Sequence, residues 1–96
     1  MDFYFRAMQM QPHKRYRMEY LLEQAAAFFR NNQYQKSIEI LTKTARLAPD
    51  WAAPYKNIAV VHLRSGNSEQ ARQFALKAKA LGADVEDILN PNPEAD

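Results

Sequence analysis

The sequence contains no cysteine, so neither a disulfide nor a thiolate metal site can form. That usage fits a reducing compartment. Glycine occurs only twice, at Gly66 and Gly82. No glycine-rich loop exists to cradle a phosphate, which argues against a nucleotide site. The two histidines, His13 and His62, stand far apart and share no ligand-like spacing. No metal or cofactor is therefore expected. No apolar run approaches the ~18 residues of a membrane span. The N-terminus lacks the charged, then apolar, then small-residue order of a secretory signal. A cytoplasmic chain with no membrane association is expected. A strong excess of one charge is also missing. Residues 1–48 carry 8 Lys/Arg against 4 Asp/Glu, and residues 49–96 carry 5 against 7, for a net +2. This mild dipole does not announce a nucleic-acid binder.

What is abundant is Ala, Leu, Gln, Glu, Lys and Arg, the residues that lose least on entering a helix. Over 96 residues they can build one domain with a modest core. Leu21, Ala25 and Phe28 share one face of a helix over 17–30, broken at Asn31-Asn32-Gln33. Ile38, Leu41 and Ala45 do the same over 34–47, ended by Ala48-Pro49-Asp50. Pro49 cannot continue the hydrogen-bond ladder and biases Ala48 away from helical angles. Asp50 is placed to cap a third helix, with Pro54 in its first turn, where a missing donor is no loss. That helix carries Tyr55, Ile58, Ala59 and His62 and stops at Ser65-Gly66-Asn67. A fourth, capped by Asn67 or Ser68, runs through Ala71, Phe74, Ala75 and Ala78 to Leu81, where Gly82 ends it.

These four helices superpose as two copies of one unit shifted by 34 residues. The shift pairs Leu21 with Tyr55, Ala25 with Ala59, Phe28 with His62, Ser37 with Ala71, Leu41 with Ala75, and Leu47 with Leu81. A period of 34 with two helices per unit is the signature of the tetratricopeptide repeat, and the chain resembles that family over about residues 2–89. Its pattern positions fall on Leu21, Gln24, Ala25, Phe28, Ser37, Leu41 and Pro49. In the second copy they fall on Tyr55, Ile58, Ala59, His62, Ala71, Ala75 and Ala83. Spacing matches throughout; Gln24, His62, Ala75 and Ala83 depart from the usual residue types. The small residues Ala25, Ala59, Ser37 and Ala71 belong where two helix axes come close, since a larger side chain there would force them apart.

The expected fold is therefore all-α, a right-handed α-solenoid of antiparallel helix pairs. Residues 1–13 read as the second helix of a preceding unit, 14–50 as unit 1 and 51–83 as unit 2. Residues 84–89 read as a capping turn started by Asp84, and 90–96 as a frayed tail. Phe3, Tyr4, Phe5, Met8 and Met10 make the first of these segments apolar on more than one side. Exposed apolar surface of that kind marks association, so homo-oligomerisation through these residues, without a separate client, is the alternative reading.

In the resembled family, the first helix of each repeat lines a concave surface. Carried over, the groove positions are Glu19, Leu22, Ala26, Phe29 and Arg30, followed by Lys56, Asn57, Val60, Leu63 and Arg64. An apolar strip flanked by cations suits an extended or helical peptide with apolar anchors and acidic groups. The bland alternative for Leu22, Phe29 and Leu63 is core packing. Asn57 sits where carboxylate-clamp members of the family have an asparagine, but Leu22 and Ala26 stand where that clamp needs Lys and Asn, so a clamp is not expected.

Other clusters read more simply. His13-Lys14-Arg15-Tyr16-Arg17 is a solvated basic run without a nucleic-acid motif around it. Glu19 and Glu23 lie a turn apart on a charged face, with no cleft for acid–base work. Asp84, Glu86 and Asp87 suit a helix start, and their spacing is not that of a calcium loop. His62 stands in an aromatic position and reads as a packed ring. Trp51 reads as packing over the turn between units. The expectation is a binding module for a protein or peptide, not an enzyme, with no small-molecule substrate and no nucleic acid.

Overall fold

A computed structural model describes residues 12–90, with side chains from residue 16 onward. Phe3, Tyr4, Phe5, Met8 and Met10, the tail beyond residue 90, and the side chains of His13, Lys14 and Arg15 lie outside the described residues. Within them the chain is all-helical. The helices are α1 (Pro12–Arg30), α2 (Tyr34–Leu47), α3 (Ala52–Arg64), α4 (Ser68–Ala80) and the short α5 (Glu86–Leu89). Each packs on the next in sequence, and α5 also reaches back to α3. Connections this short bring consecutive helices together as antiparallel neighbours.

α1 takes in residues before the 17–30 span that the hydrophobic pattern marks. Residues 13–16 contain no helix breaker, and Pro12 is tolerated in a first turn. Met18 carries the Leu21–Ala25–Phe28 stripe one turn further back and is fully buried at 0% exposure.

Three of the helix ends share one solution. After α1, the Gln33 N–H donates to the Phe28 carbonyl at 2.8 Å and the Asn32 N–H to Phe29 at 3.0 Å. After α3, Asn67 donates to His62 at 2.8 Å and Gly66 to Leu63 at 3.3 Å. After α4, Ala83 donates to Ala78 at 3.0 Å and Gly82 to Lys79 at 2.9 Å. Each is a six-to-one plus five-to-two pair, closed by a residue in the left-handed region. Those residues are Asn32 (φ 64°), Gly66 (φ 89°) and Gly82 (φ 104°). α2 ends differently, and Pro49 is the reason. It occupies the place of Ala83 in the 34-residue shift and has no N–H for the six-to-one bond. Ala48 instead donates to Thr44 at 3.1 Å, and Trp51 to Ala48 at 3.0 Å.

Gly66 isolates the backbone contribution to such a turn, because a Cβ built there meets nothing within 4 Å. Gly66→Ala is expected to cost about 1–2 kcal/mol, from the left-handed conformation alone. Urea denaturation measures it; an unchanged midpoint would mean that the turn relaxes freely.

The helix starts correct two expectations. The residue capping α3 is Trp51, not Asp50, and its side chain makes no cap bond. Asn67 does occupy the cap position of α4, also without a side-chain cap bond. Its amide nitrogen turns to the Ser65 hydroxyl at 3.3 Å and to His62 Nδ1 at 3.4 Å. At α5 the cap position is likewise one residue later than expected, Val85 rather than Asp84, although the Asp84 Oδ1 still accepts the Glu86 N–H at 3.2 Å.

The core divides in two. Ala25, Leu41, Ile58 and Val61 join α1, α2 and α3. Ala45, Ala52, Tyr55, Ala59, Ala75, Ala78, Val85 and Ile88 join α2, α3, α4 and the α5 segment. Between α1 and α2 the close approach is explicit. Buried Ser37 donates its hydroxyl to the Ala25 carbonyl at 2.8 Å, which satisfies a polar group that would otherwise be costly to bury. Ala71, 34 residues on, is equally buried.

Candidate functional site

α1 and α3 flank an open cleft of about 180 Å³ over α2. Ala25, Ala26 and Phe29 line it from α1, and Asn57, Val60 and Val61 from α3, with Ser37 and Leu41 of α2 also lining it. The volume is below the ~300–1,000 Å³ of most small-molecule sites. It has room for an anchoring side chain rather than for a cofactor.

Of the ten predicted groove residues, Ala26, Phe29, Asn57 and Val60 line this cleft. Arg64 joins them from the side. Its guanidinium lies 5.8 Å from the centre of the Phe29 ring, within cation–π range. The Phe29 ring also leans on Tyr34, 5.7 Å between centroids at 48°, so its position is fixed by α2 as well as α1. Leu22 packs against the Ala25–Leu41–Ile58–Val61 cluster, and Leu63 against the larger one. Neither lines the cleft. Glu19 and Arg30 are exposed and Lys56 is half-buried, all three off the lining.

The pattern of the sequence gave Val61 no role and missed the cleft's Ala25, Ser37 and Leu41 because those residue types at those positions read as core. They are core. The cleft is where packing between α1, α2 and α3 stops short of closing. Its one polar group from α3 is Asn57, an exposed amide able to donate and accept. Such a group suits the main chain of a bound segment, while the apolar surface suits its side chain. Among the described residues no group of three His, Cys, Asp or Glu could hold a metal ion. Among the same residues no helix is long and apolar enough to cross a membrane.

His62 lies outside the cleft, half-buried against α4. Its ring stacks on Phe74, 5.7 Å between centroids and 20° from parallel, as an aromatic residue there would. Burial without a counter-charge pushes its pKa below the usual 6.5, because desolvation disfavours the imidazolium. The unfolded chain then binds more protons than the folded one between the two values. Stability is full above about pH 6.5 and falls as the pH drops through the lower folded value. His62→Phe keeps the stack and removes the proton site. Thermal melts between pH 7.5 and 5 should fall less for His62→Phe than for the native chain. Parallel curves would mean that His62 does not contribute.

Comparison with models of protein families, with curated proteins and with solved structures finds no match for this chain.

Proposed function

We propose that the chain is a tetratricopeptide-like module, a right-handed solenoid of two helix pairs, that holds a peptide segment of another protein in the α1/α3 cleft without chemistry of its own. The repeat reading is supported by the turns after α1 and α3, which use the same hydrogen bonds 34 residues apart. It is further supported by the buried small residues Ser37 and Ala71 at that spacing. The observation that carries the function is the cleft. Phe29 and Val60 offer an apolar seat at its mouth, Asn57 an exposed amide, and Arg64 a cation over the Phe29 ring. An apolar anchor followed by an acidic residue complements that set. The reading includes a cytoplasmic setting, which the cysteine-free composition fits.

The test is selection of binding peptides from a random display library on the purified chain. The expected peptides share an apolar anchor and lose at least tenfold in affinity, about 1.4 kcal/mol, on Val60→Arg, with the helical circular dichroism unchanged. Peptides that bind Val60→Arg as tightly as the native chain, or a selection that enriches none, would remove the cleft as the site.

A further inference from the structure

A second recess lies on a different face of α3. α2 and α4 both pack on α3, and between them a notch of about 250 Å³ remains open. Its lining brings together Tyr55 and Ile58 of α3, Thr42, Ala45 and Arg46 of α2, and Phe74 of α4. The notch stays open because the neighbouring side chains are small. The residues that α4 buries are Ala71, Ala75 and Ala78, and α2 contributes Ala45, which leaves Phe74 as the one large side chain from α4. That ring is held in place by its stack on His62. The α1/α3 cleft uses Asn57, Val60 and Val61 of the same helix; Asn57 and Val60 point elsewhere around its axis at 100° per residue, while Val61 adjoins Ile58 in the core between the two openings.

Charge decides what fits. Arg46 is exposed and lines the notch. Lys77 is also exposed, and its Nζ stands 4.9 Å from the centre of the Tyr55 ring, so a second cation lies against a residue of the lining. No lining residue is acidic. An apolar recess flanked by two cations complements an apolar side chain next to a carboxylate, and the planar fork of Arg46 can hold that carboxylate through two parallel bonds. The volume is again below that of most small-molecule sites and matches one or two side chains.

We propose that the notch between α2 and α4 is a second docking site, for a peptide segment that presents an aromatic or large aliphatic side chain followed by Asp or Glu. The apolar side chain lies on Tyr55 and Ile58 beside Phe74, and the carboxylate meets Arg46 and Lys77. The two sites share no lining residue, so a variant confined to one lining tests that site alone.

NMR titration of the full chain with two matched probes tests this. N-acetyl-Phe-Asp-amide carries the charge, and N-acetyl-Phe-Asn-amide has the same shape without it. The expected result is that shifts centre on Thr42, Ala45, Tyr55 and Phe74, with the Asp probe binding at least fivefold tighter. The double variant Arg46→Gln, Lys77→Gln should erase that preference while leaving the fold intact, since both residues are exposed. Equal affinity for the two probes overturns the proposal. So do shifts centred on Ala26, Phe29 and Val60, which would assign the probe to the cleft, or no shifts at millimolar probe. Shifts at the notch that grow with protein concentration in the absence of probe would make a second copy the occupant, and also overturn it.

Discussion

Ile58→Ala is expected to lower the stability of this chain by about 2–5 kcal/mol, the range for truncating a buried Ile. Ile58 is 1% exposed and clusters with Ala25 of α1, Leu41 of α2 and Val61 of α3. It is the largest fully buried side chain that α3 contributes to this seam between α1, α2 and α3. A domain of this length has only about 5–15 kcal/mol in all, so the loss is a large share. Ile58 also lines the notch between α2 and α4. The hole left by truncation therefore opens towards solvent, which reduces the cavity penalty and keeps the transfer penalty. The cost should then lie in the lower half of the range. At ~4–8 °C per kcal/mol for a domain near this size, the melting temperature should fall by on the order of 10 °C. Urea denaturation gives the free energy directly, and the slope should stay unchanged if the native fold is kept. A midpoint within error of the native chain would mean that the two helix pairs are not held together at this seam.

The four main helices were legible because their buried faces recur at helical spacing, and the structure buries Ala25, Leu41, Ile58, Ala59, Ala71 and Ala75 on those faces. Their ends were legible where a residue type is decisive, as at Pro49, Gly66 and Gly82. Caps were less legible. Asp50 has the right chemistry, but the chain turns into helix one residue later, at Trp51, and cap position depends on backbone angles that a side-chain preference does not set. Asn67 has the right position, yet its side chain turns its amide nitrogen to Ser65 and His62 and its oxygen accepts no cap bond.

The candidate site was legible in part for a related reason. Ala26, Phe29, Asn57 and Val60 were expected because the resembled family lines its concave surface with the corresponding first-helix positions, and the structure places these four on the cleft. The rest of the lining did not follow. Whether Leu41 ends under a neighbour or at the base of an opening depends on how closely α1 and α3 approach over α2. Contacts across helices were out of reach for the same reason. Arg64 over Phe29 and Lys77 over Tyr55 join residues 35 and 22 positions apart, and only the crossing of the helices brings them together.

Ala59→Leu is the complementary experiment, since it adds volume where Ile58→Ala removes it. Ala59 is 0% exposed and belongs to the same cluster as Ala75 and Ala78 of α4. Alanine on both sides of a helix contact lets the axes approach to the near end of the usual 8–10 Å. A leucine adds three carbons at a fully buried position packed among alanines, so α3 and α4 must separate or the new side chain must leave its preferred rotamers. Overpacking of this kind costs about 1–3 kcal/mol, and more where the backbone cannot yield. Here α3 is held from the other side by α2, and α5 packs on both α3 and α4, so the upper part of that range is expected. The notch between α2 and α4 supplies a second readout. If α4 moves away from α3, its wall at Phe74 moves too, and the His62–Phe74 stack should loosen, visible as altered ring shifts of both residues. A stable Ala59→Leu variant with those ring shifts unchanged would mean that the α3–α4 contact is not close-packed at Ala59, and close approach of the two axes would then not be what requires alanine at this position.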